Sequence, residues 1–168
     1  LREFDIPCWL TFVRETQING DPVLPFLTQS HLTWHSAFLV SADGATHAIV
    51  GRYDKRMVEE TGAYSEVEGY VESIKEPLLR RLLALAPPAV AVNYSQDSEI
   101  CDGLTHGMYL TLRAYLSEIG YEGRIVSAER LLSALRQRKV PAELAHIREA
   151  IRVTEAIFAK VAAQLAPG

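Results

Sequence analysis

From Pro141 onward, Leu144, Ile147, Ile151, Thr154, Phe158, Val161 and Leu165 recur at alternating spacings of three and four. That period puts them on one stripe of a single long helix. Pro141 suits the first turn, because its φ is already helical and its missing N–H would have had no intrahelical partner. Glu143 follows at the positive end of the helix dipole, and Pro167-Gly168 are expected to close the helix. Val140 would be the N-cap. Valine has no side-chain acceptor, so this helix start is expected to be weak, or satisfied by another group or by water. A bare stripe of this length also needs a cover, so the helix is expected either to self-associate or to pack back on its own domain.

Composition limits what the rest can be. The chain has 168 residues, 48% of them hydrophobic. That suffices for one well-buried domain and is too short for two full-sized domains and a linker. A net charge of −4 with 23% charged residues argues against nucleic acid as the main partner and suits a cytoplasmic protein. Arg136, Arg138 and Lys139 form the dense basic cluster, which reads as a solvated helix end. No membrane span is expected: the most apolar stretch, Leu78 to Val92, is interrupted by Arg80, Arg81, Pro87 and Pro88, short of the ~20 apolar residues a span needs. No signal peptide is visible, and a start at Leu1 rather than Met suggests a trimmed natural N-terminus. Cys8 and Cys101 fit no metal or redox spacing. Cys8 reads as a small buried hydrophobe and Cys101 as a free thiol in a polar loop.

Along the chain, strand and helix signals alternate. Leu1 to Ile6 reads as the stub of a helix, and Trp9 to Val13 as a buried strand. Residues 16–30 are loop-like, with Gly20, Pro22 and Pro25. Ser36–Ser41 and Thr46–Val50 flank Asp43-Gly44, a hairpin signal. Asp54 to Thr61 suits a short helix capped by Asp54 and stopped at Gly62, and Glu66 to Val71 a weaker strand. Ser73 to Ala86 presents Ile74, Leu78, Leu82 and Leu85 on one helical face before Pro87-Pro88. A strand over Ala89 to Tyr94, a loop to Thr105, a helix from His106 to Glu118, a strand at Arg124 to Val126 and a helix from a Ser127 cap to Leu135 complete the order. Alternation of this kind predicts an α/β sandwich, and the hairpin makes its sheet mixed.

Residues able to do chemistry on their own are sparse. His31 and His35 have helical metal-ligand spacing, but they sit where a loop enters a strand, and no clustered carboxylates complete a shell. No Gly-x-Ser-x-Gly element occurs, and neither cysteine lies in an active-site context. Gly103 and Gly107 flank a helix start, where loop geometry explains them before anion binding does. The stronger candidates are exposed aromatic and cationic residues at strand ends: Trp34 and His35, Arg52 and Tyr53, and Tyr94 and His106. An arginine there could pair with a substrate carboxylate, and the rings could stack on a substrate side chain.

The segment Leu135-Arg136-Gln137-Arg138-Lys139-Val140-Pro141-Ala142-Glu143-Leu144-Ala145-His146-Ile147-Arg148-Glu149-Ala150 resembles the joint between the two domains of the creatinase/prolidase/aminopeptidase P superfamily. There a pattern of the type L-R-x-I-K-S-P-x-E-I-x-x-I-R-x-A opens the linking helix. Val140 departs from the family's serine. Gly51-Arg52-Tyr53-Asp54, Asn93-Tyr94-Ser95 and the run Asp102-Gly103-Leu104-Thr105-His106-Gly107-Met108-Tyr109 are similar to one bacterial branch. The resemblance implies a three-layer α/β/α sandwich around a mixed sheet with a ribonuclease H-like motif over residues 1–135, and a hinge and linking helix over 136–168. It also implies a non-catalytic amino-terminal domain that gates short peptide substrates and helps form a homodimer. The catalytic domain, with two divalent metal ions (Mn, Co or Zn), would follow this chain, which needs no cofactor itself. The family equally contains creatinase-type amidinohydrolases, and a free-standing α/β binding module is the third possibility.

Overall fold

The computed structural model describes residues 1–17, 20–29 and 31–165. The chain divides into two compact units, Leu1–Ser133 and Ala134–Gly168. In the first, β1 (Cys8–Val13), β2 (Ser36–Ser41), β3 (Thr46–Gly51), β4 (Glu66–Tyr70), β5 (Val90–Val92) and β6 (Ile125–Ser127) form one six-stranded sheet in the order β4-β3-β2-β1-β5-β6. β2 is antiparallel to both β1 and β3, while β3 is parallel to β4 and β1, β5 and β6 are mutually parallel. Every strand except β2 therefore runs the same way. Their carboxyl ends meet at one edge of the sheet, the edge where open α/β sheets tend to bind ligands.

Every residue of β1 is buried, because it sits mid-sheet with helices on both faces. Strand alternation divides its side chains between two cores. Cys8, Leu10 and Phe12 join Leu78 and Leu82 of α2 (Lys75–Leu85) and Leu112 and Leu116 of α3 (His106–Ser117). On the opposite face Trp9 meets Ala91 and Leu132 of α4 (Glu129–Gln137), and Val13 meets Val58 of α1 (Lys55–Glu59). These layers are the expected α/β/α sandwich. The hairpin forms as expected, with Gly44 at φ 102°, a value that suits glycine. Gly62 stops α1 at φ 64°, and Ser127 Oγ accepts the Glu129 N–H at 3.1 Å. β4 is an edge strand whose Glu66 and Glu68 pair with Arg81 and Arg80 of α2.

Several expectations need correction. The segment before β1 is a 3-10 turn at Arg2–Phe4 rather than a helix stub. Asp54 makes no cap bond; its carboxylate accepts the Thr33 N–H at 2.9 Å and the Thr33 hydroxyl, tying α1 to the approach to β2. β5 ends at Val92 because the Asn93 side chain leaves the ladder for a buried network. Cys101 is not in an open loop: it is fully buried in a 3-10 turn, against the Glu129 carbonyl and Ser133. Cys8 is buried as expected, and burial pushes its thiol up to about 12.

In the second unit, α5 (Pro141–Ala162) ends before Leu165, and the expected Pro167-Gly168 stop lies outside the described residues. Val140 offers α5 no side-chain cap bond; only the reciprocal contact forms, with Glu143 Oε2 accepting the Val140 N–H at 2.8 Å. Val140 is exposed, so no packing opposes a polar replacement. Val140→Ser should stabilise the protein by about 0.5–2 kcal/mol by supplying the missing acceptor. Urea unfolding would show this, and a neutral or negative change would mean that the start of α5 is satisfied in another way.

Candidate functional site

The carboxyl edge of the sheet opens into a cleft of about 360 Å³ lined by Arg14, Glu15, Thr33, Trp34, His35, Tyr70, Val71 and Glu72. These residues come from the end of β1, the approach to β2 and the end of β4. Trp34 is its main apolar wall. The indole meets Tyr53 edge-on at 5.6 Å and Tyr70 tilted at 5.8 Å. Gly51, the last residue of β3, lies beneath it: a Cβ there would come within 2.8 Å of the ring. The absence of a side chain at Gly51 is what lets the indole settle on the sheet.

His35 stacks on Phe12 with ring centres 6.0 Å apart and planes within 11°. Tyr70 Oη donates to the His35 carbonyl at 2.8 Å, which fixes the turn entering β2. Burial lowers the His35 pKa, and the Arg14 charge lowers it further. Burial raises the Tyr70 phenol to about 12, helped by the charge of Asp54. At neutral pH the cleft therefore presents a neutral imidazole and a neutral phenol beside the Arg14 side chain. Arg52 is exposed, lies 5.8 Å from the Tyr53 ring centre, and has no ion-pair partner among the described residues. Tyr53 is 76% exposed.

The sequence candidates thus separate into two groups. Trp34 and His35 line this cleft, and Tyr53 and Arg52 adjoin it through the Trp34–Tyr53 contact. Tyr94 and His106 instead line a second cleft of about 370 Å³ with Asp102, Leu104 and Tyr109, where Tyr94 and Tyr109 meet edge-on at 6.0 Å. Sequence reasoning missed Arg14, Glu15, Tyr70 and Glu72. All four lie at or just beyond the ends of β1 and β4, and only the sheet order brings those ends beside the approach to β2. Among the described residues no group of three or more His, Cys, Asp or Glu is placed to hold a metal ion. No helix among them is long and apolar enough to cross a membrane.

The architecture defines a class of fold: it is the fold of the amino-terminal domain of Xaa-Pro peptidases. An Xaa-Pro dipeptidase from Bacillus anthracis is similar at TM-score 0.61 and 18% identity, over 99% of this chain and 41% of that one. An X-Pro aminopeptidase from Thermotoga maritima is similar at TM-score 0.60 and 13% identity, over 99% of this chain and 44% of that one. The separate N-terminal domain of an Xaa-Pro dipeptidase from Lactobacillus brevis matches at TM-score 0.56 and 11% identity, over 79% of this chain and 92% of that one. The chain thus spans about two fifths of the longer enzymes it resembles. No protein-family model and no curated protein sequence matches it.

Proposed function

We propose that this chain is the non-catalytic amino-terminal domain of a cytoplasmic, homodimeric metallopeptidase of Xaa-Pro type, and that its edge cleft walls the substrate. One observation carries the reading: Trp34, His35 and Tyr53 gather with the unpaired cations Arg14 and Arg52 at the open carboxyl edge of the sheet. Rings with free guanidinium groups suit short peptides, whose side chains stack and whose carboxylates pair with arginine. The names of the similar structures favour peptidase over creatinase-type chemistry. Residues 1–135 form the wall in this reading, and residues 136–168 lead into a second domain. Two divalent ions, Mn, Co or Zn, would belong to that domain and would supply Lewis-acid chemistry for amide hydrolysis there. This chain's own part is to bind and orient the peptide. Tyr94 and His106 serve the same wall from the second cleft.

The test uses the longer protein. Trp34→Ala and Arg52→Ala should each raise KM for an Xaa-Pro dipeptide by about threefold or more, with kcat within about twofold. Metal-dependent hydrolysis by the highly purified chain alone would overturn the non-catalytic assignment. Unchanged kinetics in both variants would remove the wall.

A further inference from the structure

The second cleft, of about 370 Å³, lies in a one-sided electrostatic setting. Between Arg81 and Arg113 the chain carries no lysine or arginine, and both of those arginines are paired elsewhere, with Glu66 and Glu122. The loop from β5 to α3, which supplies Asp102 and Leu104 to the cleft, contains Asp97, Glu99 and Asp102. None of these three acids has an ion-pair partner among the described residues. Asp21 has none either, and its buried carboxyl lies directly behind the cleft wall, where a Cβ on Gly103 would overlap it. Neutral donors alone hold that carboxyl: the Val23 N–H and Asn93 Nδ2. Burial raises its pKa, those two bonds oppose the rise, and the Asp102 charge adds to it. A buried and an exposed carboxylate thus put negative potential on this cleft, and no cation of the protein answers it.

Two rings complete the setting. Tyr94 and Tyr109 meet with centres 6.0 Å apart and planes 66° apart, which makes an aromatic corner. Both pack against the core that holds Leu104 and Met108, so the corner is preset. Aromatic faces attract cations, and the attraction counts most where the cation is easily dehydrated. We propose that this cleft binds a small alkylated ammonium cation, its methyl-covered charge against the Tyr94 and Tyr109 rings and beside the Asp102 carboxylate. Such a cation demands no hydrogen-bond acceptor, so two rings and one carboxylate satisfy it. The volume lies near the lower limit for ligand pockets, which suits a free small molecule. The edge cleft has rings as well, but Arg14 and Arg52 set its charge against a cation. Binding here is independent of the peptide wall at that edge.

Isothermal titration of the chain with choline tests this, beside the uncharged carbon analogue in which a tert-butyl group replaces the trimethylammonium. The two probes share shape and differ in charge. Choline should bind saturably, and the analogue about tenfold more weakly or worse. Tyr109→Leu keeps apolar bulk and removes a ring, and should weaken choline by about tenfold. Asp102→Asn should weaken it by about threefold or more while keeping an acceptor for the Ser95 N–H. Asp102 is exposed, so this variant should fold, which a thermal melt confirms, and it decides the matter if Tyr109→Leu does not fold. Trp34→Ala reports on the edge cleft and should leave choline affinity within about twofold of wild type. No saturable heat with choline, equal affinity for the uncharged analogue, or full affinity in Asp102→Asn would overturn the cation site. Affinity lost in Trp34→Ala would move the cation to the edge cleft and overturn it equally.

Discussion

Gly103→Ala should destabilise the protein by about 2–4 kcal/mol, more than a surface loop substitution ordinarily does. A Cβ at Gly103 would overlap the carboxyl group of Asp21. That carboxyl cannot swing aside cheaply. Asp21 is 4% exposed, its Oδ1 accepts the Val23 N–H at 3.0 Å, and its Oδ2 accepts Asn93 Nδ2 at 2.7 Å. Asn93 also donates to Thr11 Oγ1 at 3.0 Å and accepts the Trp9 Nε1–H at 2.6 Å, while its backbone carbonyl accepts the Leu104 N–H at 2.8 Å. Moving Asp21 would strand buried donors and acceptors, whose desolvation is then uncompensated. Gly107→Ala is the control. Nothing lies within 4 Å of a Cβ there, and the residue is in α3, so alanine should add up to about 1 kcal/mol of helix propensity. Urea unfolding of both variants decides the matter: a Gly103→Ala protein within about 0.5 kcal/mol of wild type would mean that the Asp21–Asn93 staple is not rigid.

This staple also marks the limit of what the sequence reveals. Strand and helix order was legible because it is local: the short apolar runs of β2 and β3, Asp43-Gly44 between them, the Ile74, Leu78 and Leu82 face of α2, and Pro87-Pro88 after it. Asn93 bonds to residues 72 to 84 positions away, and nothing in its neighbourhood announces them. The same long-range contact explains why β5 stops early. Cys101 was misplaced for a related reason: its polar neighbours suggest a surface loop, but a 3-10 turn folds the thiol beneath α4. Of the edge cleft, the residues before β2 and after β3 were legible as aromatic and cationic groups at strand ends. Arg14 and Glu72 were not, because a charged residue after a strand is ordinary until topology brings the ends together. Tyr94 and His106 fitted the same rule, but β5 and α3 carry them to a different cleft.

His47→Leu should stabilise the protein at pH 7 by about 1–3 kcal/mol, an unusual direction for changing a buried strand residue. His47 is 8% exposed, and neither ring nitrogen has a hydrogen-bond partner. Its Nδ1 lies 3.7 Å from Glu66 Oε2, beyond hydrogen-bonding reach, and Glu66 is already engaged with Arg81 at 2.5 Å. A leucine of similar size would replace two dehydrated nitrogens with apolar surface and leave the Glu66–Arg81 pair intact. Burial depresses the His47 pKa, Arg81 depresses it further, and Glu66 and Asp43 act in the opposite sense without reversing it. The unfolded chain therefore binds this proton more readily than the folded one. Stability is fully present above the unfolded value of about 6.5 and is lost as pH falls through the folded pKa. His35, depressed by burial and by Arg14, adds a loss of the same sign. Between pH 7 and pH 5 the His47→Leu protein should lose less stability than wild type, and His35 should keep the remaining slope above zero. Urea midpoints at the two pH values measure both effects. A variant less stable than wild type at pH 7 would mean that buried water satisfies the imidazole, making His47 a polar anchor of the β3–β4 edge.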